Sequence, residues 1–162
     1  MVDQTKDNAN VVVFPPLLLL ATIVLGVLLD WLVPIGIVAK LPATPRIVTG
    51  AILFALGVAL VVTGRTTFIR AGTNVRPYLP ALSLVSSGIF AHQRNPMYVG
   101  GNVALFGLAL MLASDWIVLL MVPALLLLHY GVVLREERYL ERKFGETYRR
   151  YKASVPRYGW KF

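Results

Sequence analysis

Two carboxylates, Glu136 and Glu137, stand side by side just after an uncharged apolar stretch that ends at Leu134. A carboxylate at the mouth of a helical bundle is a natural candidate to bind a cation or a sugar hydroxyl. The plainer reading pairs both with Arg135, Arg138 or Arg142 on a solvated helix face. His129 lies seven residues before Glu136, two helical turns, and so on roughly the same face. It suits a base or a substrate-orienting group, or else a hydrogen bond to a neighbouring helix. A further cluster runs Arg94-Asn95-Pro96-Met97-Tyr98-Val99-Gly100. Pro96 lacks a backbone donor and biases Asn95 away from helical torsions. A helix N-terminus with free N–H groups, able to meet an anion, is expected there. Upstream, Ala71-Gly72-Thr73-Asn74 reads only as a turn, followed by Leu82-Ser83-Leu84-Val85 and Gly88. The sequence carries neither G-x-G-x-x-G nor G-x-x-x-x-G-K-[ST]. With two His and no metal-ligand spacing in any span, no metal site is expected. The absence of Cys excludes disulfides, thiolate metal sites and a thiol nucleophile.

The elements that must position these residues are apolar. Of 162 residues, 57% are hydrophobic and 15% charged, against about 25% charged in soluble domains. That excludes disorder, a nucleic-acid-binding tail protein and an ordinary cytosolic enzyme. Four stretches, about 11–33, 46–64, 95–114 and 116–134, are long enough to span a bilayer, which takes about 20 residues. The first lacks a basic flank, since residues 1–10 hold Asp3, Lys6 and Asp7, and no small-residue cleavage site follows it. It reads as a retained helix entered through Pro15 and Pro16 rather than a signal peptide. Only Asp115 separates the last two spans, so they form a tight hairpin with Ser114-Asp115-Trp116 at its tip.

The charges sort by segment. The first connection holds Lys40 and Arg46, and the second, 65–94, holds Arg65, Arg70, Arg76 and Arg94. The tail, 135–162, holds nine Lys and Arg against four Glu, a large part of the net charge of +8. By the positive-inside rule both termini and the second connection are cytoplasmic, in a multi-pass protein of the cytoplasmic (inner) membrane. In the tail, Leu140, Phe144, Tyr148 and Tyr151 form one apolar stripe. This predicts an amphipathic helix continuing from the fourth span, suited to an anionic membrane surface, with Gly145 weakening it by about 1 kcal/mol. The expected fold is all-α: a single-domain membrane four-helix bundle with a C-terminal amphipathic cytoplasmic helix.

Ala71-Gly72-Thr73, Leu84-Val85, Ser87-Gly88 and Arg94 to Gly100, followed by Glu136-Glu137, Leu140, Phe144-Gly145, Tyr148, Tyr151 and Val155-Pro156-Arg157, form an ordered set. It resembles the isoprenylcysteine carboxyl methyltransferase and phospholipid methyltransferase superfamily over roughly residues 65–157. The resemblance implies an integral membrane methyltransferase that uses S-adenosylmethionine. The cofactor would lie in a cytoplasm-facing pocket between the last two helices, the preceding loop and the tail. Carried over by motif, Leu82, Ser83, Leu84 and Val85 would contact it, largely through backbone. Phe90, Asn95, Pro96, Met97 and Tyr98 would line the pocket, and Glu136 would take a polar group of the cofactor. The methyl acceptor implied is a lipophilic, membrane-embedded small molecule, bearing a prenylcysteine-type carboxylate or a lipid amine.

Three positions depart from the commoner residues of that superfamily: Phe90 stands for Tyr, Asn95 for His and Val132 for Arg. An Arg at the last position suits a substrate carboxylate, so Val132 weighs against prenylcysteine unless Arg135 or His129 replaces it. An amine acceptor must be neutral, and His129 or Glu137 is the expected base. Two other activities compete. One is an NADPH-dependent sterol-type reductase of the same superfamily, for which the chain has little room. The other is a small four-helix transporter, which needs an ionisable residue deep in a span, whereas Asp30 sits at a span end and only His129 lies within one. A non-enzymatic scaffold explains the spans but not the polar motifs gathered on one face.

Overall fold

The structure is a computed structural model and describes residues 7–161; Asp3 and Lys6 lie outside them. Helix α1, Pro15–Leu32, is entered through its two prolines, where a missing N–H costs nothing. Helix α2, Ala43–Arg70, outruns the expected span 46–64. Residues 65–70 contain no Gly or Pro, and Thr66 and Thr67 bond back to the Thr63 carbonyl at 2.9 and 2.8 Å. Arg65 and Arg70 are therefore helical, and the long connection begins only at Ala71, where Gly72 takes φ +66°.

Helix α3, Pro96–Leu112, and helix α4, Asp115–Leu128, form the expected hairpin. Ala113 closes α3 at φ 57°, and the Ser114 hydroxyl accepts the Ile117 N–H at 3.0 Å to start α4. Helix α4 continues through a π-helical turn, His129–Val133, into α5, Leu134–Phe144. The tail is two helices rather than one. Gly145, at φ 54°, ends α5 and opens α6, Glu146–Ser154, because a left-handed residue costs glycine least. Nor does the tail run free along a membrane surface: it turns back onto the connection between α2 and α3.

Three helical stretches, Pro15–Leu32, Ala43–Arg70 and Asp115–Phe144, are long and apolar enough to cross a membrane, and α3 is a shorter apolar helix. Leu17, Leu20, Val24, Ile52 and Leu56 all point outward. Water would make that costly, and hydrocarbon makes it neutral. The protein is a membrane helical bundle.

Glycine decides how the bundle packs. Gly50, Gly57 and Gly64 on α2 recur every seven residues and face Gly107, Gly100 and Met97 on α3. A Cβ at Gly57 would lie 2.4 Å from the Gly100 carbonyl oxygen, and one at Gly107 would lie 2.5 Å from the Gly50 oxygen. Without a hydrophobic drive in lipid, such close backbone approach is what joins helices. Helix α1 packs chiefly on α4, with Gly26 against Ile117, and hardly touches α2.

The two ends of the bundle differ. At one, Asp30 accepts from the Ser114 hydroxyl, Asp115 accepts the N–H groups of Ile37 and Val38 at 2.9 and 3.0 Å, and Trp116 Nε1 donates to the Val33 carbonyl at 2.7 Å. The opposite end gathers the long connection, the tail and the segment before α1.

Replacing Gly57 by Leu is expected to force α2 and α3 apart. Overpacking typically costs about 1–3 kcal/mol. A lower melting temperature in detergent checks this, and an unchanged one would refute the glycine seam.

Candidate active site

At the loop-and-tail end a cavity of about 110 Å³ is lined by the connection, the start of α3, α5 and α6. Ser83, Leu84, Val85, Phe90, Asn95, Pro96, Met97, Tyr98 and Glu136 all line it, as does Glu137. Of the residues expected to hold a cofactor, Leu82 alone is absent, being 64% exposed. Nor do the loop's amides all face a ligand. The Thr73 hydroxyl accepts the N–H groups of Leu82 and Ser83 at 2.9 and 3.3 Å, so that stretch is already pinned.

The adjacent glutamates have opposite surroundings. Glu137 is buried and takes two arginines. Arg157 donates from Nε to Oε1 at 2.8 Å and from Nη2 to Oε2 at 2.7 Å. Arg94 Nη1 lies 3.0 Å from Oε1 as an ion pair. Neither is among the arginines that sequence spacing offered, since one comes from the connection and one from the tail. The hydrogen bonds to Glu137, and after them its charge, hold the Arg157 guanidinium pKa above its usual value. Burial first, and the Glu137 charge second, push the Tyr148 phenol up to about 12. Glu137 thus joins α5 to the connection and to the tail.

Glu136 has no cationic partner among the described residues. Tyr98 Oη donates to its Oε1 at 2.7 Å, and Oε2 makes no hydrogen bond to any described residue. Successive residues on a helix point about 100° apart, so one glutamate meets the arginines while the next faces the cavity.

His129 and Arg135 stand outside this cavity. A π turn lies between His129 and Glu136, and His129 is not in the lining of the cavity that Glu136 faces. His129 Nδ1 instead pairs with Tyr158 Oη at 2.8 Å, and Arg135 Nη1 donates to the Asn10 carbonyl at 2.9 Å. Val132 is wholly buried against Leu128 and Val133, so that position offers nothing to a carboxylate.

Hydrogen bonds tie the connection to the tail beside the cavity. Arg94 N–H donates to the Pro156 carbonyl at 3.0 Å and Lys161 N–H to the His92 carbonyl at 2.9 Å. Gln93 Nε2 reaches the Gly159 carbonyl at 2.8 Å, and Tyr151 Oη donates to the Phe90 carbonyl at 2.7 Å. His92 stacks on Trp160 with 5.1 Å between centroids. On the far side, Tyr139 Oη accepts the Ala81 N–H at 3.0 Å and bonds Asp7 at 2.8 Å, while Lys143 meets Asp7 at 2.5 Å. Tyr139, Thr73 and Gln93 were not singled out individually by sequence. Thr73 lay within a recognised turn, but nothing local marks the other two.

The model of the phospholipid methyltransferase family matches residues 45–147, which include α3, α4, the π turn, α5 and nearly all of α2. The chain belongs to that family. No curated protein and no solved structure matches it. The family's match takes in Glu136, Tyr98 and the whole connection, but not Arg157, whose link to Glu137 comes from beyond it.

Replacing Glu137 by Gln leaves the buried Arg94 without its counter-charge. Breaking a buried ion pair on one side costs about 3–5 kcal/mol, and the lower end applies because Arg157 is partly exposed. The expected result is a lower melting temperature, with early protease cleavage of the tail. An unaltered melting curve would refute the clasp.

Proposed function

We propose that this phospholipid methyltransferase family member transfers a methyl group from S-adenosylmethionine to a lipophilic acceptor held in the membrane. Glu136 carries the reading. It is a carboxylate lining the cavity, held by one neutral phenol, with its second oxygen available to a ligand. Leaving a carboxylate there is costly unless a cation completes it. S-Adenosylmethionine brings cationic groups, and Phe68, Phe90 and Tyr151 give the same cavity aromatic surfaces for a purine. The residues present therefore fit the molecule.

When bound, S-adenosylmethionine supplies a methyl on a sulfonium, whose S–C bond breaks as the acceptor–C bond forms. The protein's part is alignment and exclusion of water. Tyr98 fixes the Glu136 carboxylate. Glu137, Arg94 and Arg157 hold α5, the connection and the tail in one arrangement around it. A carboxylate acceptor needs no base. An amine acceptor must arrive neutral or lose its proton locally, and Glu136 is the cavity carboxylate not neutralised by arginine.

The orientation follows from charge. The cavity lies at the end that carries Arg70, Arg76, Arg94 and the basic tail. By the positive-inside rule that end is cytoplasmic, where the water-soluble methyl donor is available.

Glu136→Ala is expected to abolish S-adenosylmethionine binding measured calorimetrically in detergent, with the melting temperature little changed. Unchanged binding would remove Glu136 from the site. Binding of NADPH in place of S-adenosylmethionine by the unaltered protein would overturn the activity itself.

A further inference from the structure

The segment before α1 forms part of the wall around Glu136. Ala9 lines the cavity and is 5% exposed. This wall and the tail are fastened by different means. The tail is held through Glu137, whose side chain is 7% exposed, and a buried pair is costly to break. Residues 7–10 are held mainly by exposed groups. Lys143 meets the Asp7 carboxylate at 2.5 Å, with the Asp7 side chain 57% exposed. Tyr139 Oη adds a bond to Asp7 at 2.8 Å, and Arg135 Nη1 holds the Asn10 carbonyl at 2.9 Å. The Ala9 N–H reaches the Pro77 carbonyl only at 3.4 Å. Exposed ion pairs contribute little and are weakened by salt.

The segment changes character at Asn10, which takes φ 46°, a left-handed torsion that asparagine tolerates better than most residues. Beyond that turn the chain is anchored. Val11 and Val13 pack against the buried cluster of Leu128, Val132 and Val133, and the Val12 N–H donates to the Gly131 carbonyl at 3.0 Å. Residues 7–10 can therefore lift about Asn10 while residues 11–13 stay in place. The bilayer side offers no comparable route for a water-soluble molecule. There Met97 and Tyr98 are shared with a second, largely apolar cavity of about 740 Å³, lined by all four bundle helices.

We infer that residues 7–10 are a gate over the cavity, latched by Asp7 to Lys143 and Tyr139 and turning at Asn10, which opens the cavity to water while the tail stays clasped. That the molecule admitted is S-adenosylmethionine rests on the proposed function, but the gate itself does not.

The chain has no Cys, so one introduced thiol reports access. Val85 lines the cavity and is 7% exposed. In the detergent-purified full chain carrying Val85→Cys, the rate of modification by the neutral reagent methyl methanethiosulfonate, followed by intact mass, measures opening. Adding Asp7→Ala is expected to raise that rate on the order of tenfold. Raising NaCl from about 50 to about 500 mM is expected to raise it severalfold when Asp7 is present and not in Asp7→Ala, because screening acts through the latch. Glu146→Ala removes an exposed acid paired with Arg149 and Arg150 on α6, and is expected to leave the rate unchanged. Equal rates with and without Asp7, or an equal rise with Glu146→Ala, would overturn the gate. Should Val85→Cys not fold, Ser83→Cys, in the same lining, gives the same comparison. Calorimetry with S-adenosylmethionine on the unaltered protein separates the two readings. A thiol that responds to Asp7→Ala in a protein that does not bind the methyl donor removes methyl transfer and leaves the gate. A protein that binds the donor but whose thiol ignores Asp7→Ala removes the gate alone.

Discussion

The geometry at the loop-and-tail end depends on the burial of Glu137 between Arg94 and Arg157. Three parts of the chain that are distant in sequence meet at this one carboxylate: the end of the connection, the first turn of α5 and the segment after α6. Each brings a charge that is costly to bury alone, so none settles without the others. The ring of main-chain bonds from Arg94, Gln93 and Lys161 follows from that meeting, because it draws residues 155–161 alongside residues 92–95. Glu136 is then placed by its neighbour. With Glu137 turned to the arginines, helical geometry turns Glu136 to the cavity, where Tyr98 receives it.

Packing within the membrane works by a separate rule. On α2 and α3 the interface residues are glycines, and the two backbones touch. On α1 the partner is α4, and the approach to α2 is left open. The bundle is thus a tight pair beside a looser one. The unequal packing leaves a larger cavity next to a smaller one, with residues 74–77, Leu79, Met97 and Tyr98 lining both.

Much of this was legible in the sequence. The apolar runs gave the helices, with Pro15, Pro96 and Asp115 marking where three of them begin. Ser83, Leu84, Val85, Phe90, residues 94–98 and Glu136 line one cavity. What could not be read has definite causes. The ends of α2 and α5 depend on where a glycine takes positive φ, and Gly72 and Gly145 look like any other glycines in a string of letters. The partners of Glu137 lie 43 residues before it and 20 after it, and no local pattern ranks them above Arg138. The π turn after Leu128 could not be read either, since a spacing of seven places His129 and Glu136 on one face only on an unbroken α-helix. The glycine seam, by contrast, was open to view. Gly50, Gly57 and Gly64, with Gly100 and Gly107, repeat at sevens, and that spacing is itself a packing signal.

The π turn, His129–Val133, also bears on how such a chain can vary. It is one rotational step between a lipid-facing helix and a site-facing one, and it frees the Gly131 carbonyl to receive the Val12 N–H at 3.0 Å. Removing a single residue there would spare every motif letter yet advance all of α5 by about 100°. The arginines would then face a different side chain, and the cavity would lose Glu136. Length between His129 and Glu136 is thus constrained as tightly as identity: the chain counts residues there as a screw counts threads.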